Sequence, residues 1–194
     1  MNKRQSLRSI AMLAIVGFAT IALAPGVSQA ASKDAERAEA RKVANQTLQR
    51  LYRIQPGAKQ RIEKAAGYAA FSNFGMKILV AGGGKGEGVA VNNKSRQETF
   101  MKMLEVQAGL GFGIKKFRIV WVFDTPTAFD KFVNSGWELG AQATAAAQVS
   151  GQGASAAGAI PVSPGVWIYQ LTDDGLALEL TAKGTKYYKD GALN

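Results

Sequence analysis

The side chains that most often carry catalysis are missing from this sequence of 194 residues, which contains no histidine and no cysteine. Their absence removes the commonest general base, the commonest metal ligands and the thiol nucleophile. The carboxylates that remain beyond residue 60 are scattered, and among these only Asp173 and Asp174 are adjacent, in a predicted turn. Two of them would support hydrolysis only if the fold brought them together. We therefore expect no enzymatic activity, no cofactor and no bound metal.

Basic side chains carry the chemistry that remains, since 24 lysines and arginines against 14 acidic residues give a net charge of +10. A cation near an anionic membrane surface contributes attraction of about 1 kcal/mol, so several must act together. No basic run is interleaved with aromatic residues, so nucleic acid is not an expected partner. The predicted lipid-binding residues lie on a first helix and beside glycine-rich segments: Lys33, Arg37, Arg41, Lys42, Lys85, Lys115 and Lys116.

Residues 1–30 have the pattern of a secretory signal peptide. Three basic residues precede an uncharged run at residues 10–24, and Ser28-Gln29-Ala30 supplies small residues for cleavage. The run is shorter than the roughly 20 residues that a bilayer-spanning helix needs, although an uncleaved anchor is the alternative interpretation. Without the segment, which has no acidic residue, the net charge falls from +10 to +7. We expect export to a bacterial periplasm and a position peripheral to its anionic membrane.

Residues 31–57 are predicted to form an N-terminal amphipathic helix that ends before Pro56-Gly57. Its apolar residues recur at spacings of three and four, which places on one face Ala40, Ala44, Leu48, Leu51 and Ile54. Two interpretations fit this pattern. The helix could lie on an anionic membrane, or it could dock its apolar face on the core and leave its charged face in solvent.

Residues 58–194 are predicted to form a β-rich domain with short packing helices. The first helix spans 58–66, and strands follow at 68–71, 76–81 and 89–91. The glycine-rich segment 82–88 lacks the spacing and the Lys-Ser/Thr ending of a phosphate-binding loop, so a hairpin or bulge is the better interpretation.

The stretch 106–123 is predicted to be the centre of the β core. Between Val106 and Ile114, apolar residues alternate with a set that includes three glycines, so one face of a strand would be unusually bare. That face could admit an acyl chain or could be a surface on which another element packs closely. Residues 117–123 are almost continuously apolar, which is typical of a strand buried on both faces.

Further elements complete the domain. Thr125-Pro126 begins a helix that ends at Gly136. The segment 140–160 is uncharged, with a period of two over 141–150 that indicates a strand. Asp173-Asp174-Gly175 predicts a hairpin between 166–171 and 176–181. These helices and strands indicate a mixed domain built around a β core.

The order of several short motifs in residues 58–194 resembles the SYLF domain family, also called the Ysc84 family, and its bacterial secreted branch. The motifs are Lys64-Ala65-Ala66-Gly67-Tyr68-Ala69-Ala70-Phe71, Gly83-Gly84-Lys85-Gly86-Glu87-Gly88-Val89, Gly109-Leu110-Gly111-Phe112-Gly113, Gly136-Trp137-Glu138-Leu139-Gly140 and Tyr187-Tyr188.

The resemblance implies an α+β fold with a curved, mainly antiparallel β core, and it implies a lipid-binding protein without catalysis. Eukaryotic relatives bind phosphoinositides with the help of a basic N-terminal helix, whose position corresponds here to Lys33–Arg53. Within that range the resemblance points to Arg37, Arg41 and Lys42 as lipid-binding residues. Some relatives bind actin, a property that we do not carry over to a periplasmic protein. Residues 97–101 replace a segment that contains tryptophan in eukaryotic members. The alternative function is an envelope scaffold that binds a protein partner through the uncharged surface of residues 140–160.

Overall fold

The computed structural model describes residues 25–78, 81–108, 113–140, 158–173, 175–177 and 184–194. Within them it has three helices, α1 (Pro25–Ile54), α2 (Gly57–Lys64) and α3 (Pro126–Ser135). The strands are β1 (Gly67–Ile78), β2 (Ala81–Asn92), β3 (Glu98–Ala108), β4 (Gly113–Phe123), β5 (Trp137–Leu139), β6 (Ile160–Ser163), β7 (Val166–Thr172), β8 (Gly175–Ala177) and β9 (Thr185–Lys189).

The nine strands form one curled antiparallel sheet in the order β5-β9-β3-β2-β1-β4-β7-β6, with β8 paired to β7. This arrangement confirms the predicted α+β fold with a curved antiparallel core. Strand β4 lies near the middle of the sheet, between β1 and β7. Its residues from Ile119 to Phe123 are all fully buried, as the continuous apolar run predicts.

Helices cover both faces of the sheet. On one face, α3 packs over an aromatic cluster in which Trp121 lies 5.0 Å from Phe132 and 4.9 Å from Tyr187 between ring centroids. Burial raises the pKa of the Tyr187 hydroxyl, although the nearby indole of Trp121 partly offsets this shift. On the other face, α1 and α2 pack over a second cluster that includes Val89 and Phe100. The sheet is therefore the shared middle layer of two cores.

Helix α1 adopts the docked arrangement. Its predicted apolar face lies against the sheet, where Ala40, Ala44, Leu48 and Leu51 are buried, while Ile54 is 38% exposed. The helix begins at Pro25, six residues before the predicted start at residue 31, and proline suits a first helical position because it has no N–H to leave unpaired. Residues 1–24 lie outside the described parts, and the helical conformation of residues 25–30 does not test cleavage, so the signal peptide and its cleavage site stay predictions.

The prediction of a glycine hairpin or bulge at 82–88 is wrong. These residues lie inside β2, which pairs without interruption with β1 on one side and β3 on the other. The predicted strand 68–71 and residues 76–78 of the predicted strand 76–81 are parts of one longer strand, β1, whereas Ala81 begins β2 and residues 79–80 lie outside the described parts. At Gly88 the reason is steric, since a Cβ there would overlap the Ala70 carbonyl oxygen and the Phe71 ring. Gly88 thus permits close packing within the sheet rather than a turn.

The alternating segment 106–114, predicted as a strand, is also not one strand. Its beginning belongs to β3 and its end to β4, and these two strands are separated in the sheet by β1 and β2. Residues 109–112 lie outside the described parts, as do 141–157, so the bare glycine face and the strand at 141–150 stay predictions.

The local signals for the other elements are confirmed. The Thr125 hydroxyl accepts a hydrogen bond from the Ala128 N–H at 3.3 Å and caps α3, which ends at Gly136 with φ 74°. Helix α2 ends at Lys64, two residues before its predicted end. Strands β7 and β8 form the predicted hairpin over the residues that are described.

Candidate basic surfaces

Four of the predicted lipid-binding residues lie on α1, and we call Lys33, Arg37, Arg41 and Lys42 the helix surface. Arg41 contacts the body of the protein, because its Nε donates to Glu98 Oε2 at 2.7 Å. Its guanidinium also lies 5.0 Å above the ring of Phe100. The charge of Arg41 is therefore largely compensated within the protein.

Arg37 is held in a similar way. Its Nε donates to the backbone carbonyl of Leu193 at 2.8 Å, and its Nη1 donates to Asp34 at 2.9 Å. Lys42 pairs with Glu39 at 3.0 Å but remains 62% exposed, and Lys33 is half-buried. The two arginines thus fasten the helix to the domain, whereas Lys42 pairs within the helix and Lys33 belongs to no ion pair in the described parts. The acceptors of the two arginines, Leu193 and Glu98, lie far along the chain, so the sequence alone does not give this division.

Lys85, the fifth predicted residue, lies on β2 and is exposed. Side chains alternate between faces along a strand, so Lys85 and Glu87 share the face of Val89, which packs under α1. Strand pairing aligns Glu87 with Lys102 and Tyr188, and Lys85 with Leu104 and Lys186. We call these aligned residues the sheet surface: Lys85, Glu87, Lys102, Leu104, Lys186 and Tyr188.

The sheet surface lies next to the part of the sheet that α1 covers, but α1 does not extend over it. Phe100 is 6% exposed beneath the helix, whereas Leu104, four residues further along the same face of β3, is 38% exposed. Tyr188 is equally exposed. Between β2, β3 and β9 the surface forms an open concavity of about 260 Å³. Apolar and cationic side chains thus meet on a part of the sheet that α1 leaves uncovered.

One lysine of the sheet surface forms an ion pair with a carboxylate, and two do not. Lys102 Nζ lies 2.9 Å from Asp190 Oδ2, and this hydrogen bond raises the pKa of the lysine. Burial by itself raises the pKa of the Asp190 carboxyl, but the bond from Lys102 and backbone N–H groups lower it below its ordinary 3.8. Within the described parts of the chain, Lys85 and Lys186 belong to no ion pair shorter than 4 Å.

The remaining predicted residues are less well placed by the structure. Lys115 and Lys116 lie on β4, where they pair in register with Gly75 and Phe74, and their side chains are outside the described parts. Most of the uncharged segment 140–160, the predicted partner surface, is outside them too. Their roles stay predictions.

Sequence reasoning missed Lys102, Leu104, Lys186 and Tyr188 as candidate residues. Period-two patterning in β3 and β9 assigns these residues to faces, but only the pairing of β9 with β3 brings them beside Lys85. That pairing joins residues that are 80 to 88 positions apart in the sequence, which no local signal encodes.

Within the described parts, no three acidic side chains come close enough together to hold a metal ion. The buried carboxyl of Asp190 is engaged by Lys102, as described above. None of the described helices combines the length and the apolar character needed to cross a bilayer.

Comparison with known proteins points in the same direction as the motifs. A model of the Ysc84 family, described as "Las17-binding protein actin regulator", matches residues 104–194. Beta cell expansion factor A from Aeromonas veronii is 36% identical over 151 residues, which cover 78% of this chain and 56% of the relative. The chain thus spans about half the length of that curated relative. Residues 104–194 belong to the Ysc84 (SYLF) family.

Proposed function

We propose that this protein binds anionic phospholipid membranes at their surface and catalyses no reaction. One observation carries the proposal: the helix surface and the sheet surface lie on the same side of the sheet. An extended anionic plane could therefore contact both without any rearrangement of the fold. Membership of residues 104–194 in the Ysc84 family supports the proposal, because lipid binding is a general property of that family.

The electrostatic contribution is modest for each residue and large in sum. At about 1 kcal/mol for each lysine or arginine near the surface, Lys33, Lys42, Lys85 and Lys186 would together contribute about 4 kcal/mol. That is a factor of roughly 10³ in the partition coefficient, and it falls as salt screens the charges. Arg37 and Arg41 contribute less in this proposal, because Leu193 and Glu98 already accept their hydrogen bonds.

The docked position of α1 limits how the membrane is bound. Its apolar face is occupied by the sheet, so insertion of that face into lipid would require the helix to leave the core. The proposed contact is therefore peripheral and leaves the core of the protein intact. Export to a periplasm, which we also propose, would place the protein beside a suitable anionic membrane.

Co-sedimentation of the full chain with vesicles tests the proposed function. Vesicles of phosphatidylglycerol mixed with phosphatidylcholine should retain more protein than vesicles of phosphatidylcholine alone, and the difference should shrink as NaCl rises from 50 to 500 mM. Equal capture by both kinds of vesicle at every salt concentration would contradict it. In that case the alternative, an envelope scaffold that binds a protein partner, becomes the better explanation.

A further inference from the structure

We infer that the sheet surface contributes more than α1 to the binding of this protein to the phospholipid bilayer. The inference rests on the proposed function and names the site within it. Lys85 was the one member of this surface that the sequence pointed to. The other members come from the strand pairing, which places Lys102 and Leu104 between Lys85 and the strand that carries Lys186 and Tyr188.

The charges of α1 favour this choice. Between residues 33 and 42, four cations alternate with three carboxylates, those of Asp34, Glu36 and Glu39. Two of these carboxylates pair with Arg37 and Lys42, and Glu98 pairs with Arg41. A helix whose apolar face is buried and whose charges are mostly paired attracts a membrane less than unpaired cations beside exposed apolar side chains do.

The sheet surface combines the groups that suit the boundary between water and lipid. Lys85 on β2 and Lys186 on β9 lie on either side of Leu104 on β3. The Cβ atoms of such directly opposite residues are about 5 Å apart. Long lysine side chains can lay their apolar stems against a membrane while their ammonium groups contact phosphates. Leu104 and Tyr188 add exposed apolar area, and a tyrosine is well suited to the headgroup region because it has one apolar and one polar end.

Charge complementarity identifies the occupant as anionic phospholipid. The cations on this face are Lys85, Lys102, Lys186 and, across Ser72, Arg118. The acidic groups that face or contact them are Glu87, Glu138 and the buried Asp190. The net charge of this face is therefore positive. Lys85 and Lys186, which belong to no described ion pair, lie on either side of the exposed Leu104. The concavity of about 260 Å³ is below the usual range for a drug-sized ligand and is open, as a contact with a lipid headgroup requires.

Charge-matched variants of the full chain test the inference. Lys85→Gln with Lys186→Gln removes two charges from the sheet surface, and we expect partitioning onto phosphatidylglycerol vesicles to weaken about 30-fold. Lys94→Gln with Lys131→Gln removes two charges from exposed positions in a turn and on α3, and it should weaken partitioning less than about threefold. Lys33→Gln with Lys42→Gln is the corresponding variant of the helix surface. All variants keep residues 1–30, so any binding by that segment is common to all of them. Differences in partitioning between the variants therefore report the substituted surfaces.

The outcomes separate the two proposals. If the wild-type protein shows no preference for anionic vesicles, the proposed function fails and the inference fails with it. If the wild-type protein binds but the helix-surface variant loses as much affinity as the sheet-surface variant or more, the proposed function stands and the inference is overturned. Equal losses in the sheet-surface variant and in the Lys94/Lys131 control would also overturn it, because only net charge would then matter.

A labelling experiment supplies an independent readout. Because the chain has no cysteine, Leu104→Cys provides a single attachment point for a polarity-sensitive fluorophore, and Asn134→Cys on the exposed side of α3 provides the control. Addition of phosphatidylglycerol vesicles should shift the emission of the Leu104 label to shorter wavelength and leave the control label unchanged. A shift at the control position alone, or at neither position while the protein binds, would contradict the inference.

Discussion

Truncation of Leu51 to alanine tests whether α1 is a permanent part of the core. Leu51 has 0% exposure and belongs to the cluster between α1, α2 and the sheet. Leucine-to-alanine changes at such sites cost about 2–5 kcal/mol, through lost transfer free energy and the cavity that remains. We expect about 3 kcal/mol for Leu51→Ala.

Urea denaturation followed by tryptophan fluorescence measures this loss. Trp121 is fully buried in the cluster on the opposite face of the sheet, so its emission reports the cooperative unfolding of the whole domain. With a slope of about 2 kcal/mol per molar urea, a loss of 3 kcal/mol lowers the midpoint by about 1.5 M. The control is Gln49→Ala on the exposed side of the same helix, which should change the free energy of unfolding by less than about 0.5 kcal/mol.

One result would refute the reasoning. If Leu51→Ala unfolds at the wild-type midpoint, α1 does not share the core of the domain, and its apolar face is then available to a membrane. In that case the argument for a peripheral contact would also fail, because it depends on that face being occupied.

Three further predictions concern stability. Gly88→Ala should lower the free energy of unfolding by about 2–3 kcal/mol in the same assay, since the added Cβ overlaps a neighbouring strand and a buried ring. Asn194→Ala should cost about 1–3 kcal/mol, because it removes three side-chain hydrogen bonds of 2.6–3.0 Å; unchanged stability would contradict their role. The lowered pKa of Asp190 means that its contribution is complete above pH 3.8 and is lost as the pH falls through the folded-state value. Asp190→Asn should therefore flatten the acid limb of a stability–pH profile measured by urea denaturation.

Predictions from the sequence were correct for features that depend only on residues close together in the chain. The cap at Thr125, the helix end at Gly136 and the apolar periodicity of α1 each depend on neighbours within a few residues. The buried strand around Trp121 was recognisable because both of its faces are apolar. The glycine run at 82–88 was misread, since glycine marks both turns and close packing between strands and its spacing does not distinguish the two.

By itself, the sequence determined the α+β class, the excess of positive charge and the lack of histidine and cysteine. It also determined which face of α1 is apolar, since these properties depend on composition and local spacing. Only the tertiary structure decided which cations are already paired and which face solvent. Arg37 and Arg41 donate hydrogen bonds to acceptors far along the chain. Lys85, Leu104 and Lys186 lie side by side on three adjacent strands. Such neighbours are set by sheet order, which results from packing of the whole domain and not from any short segment.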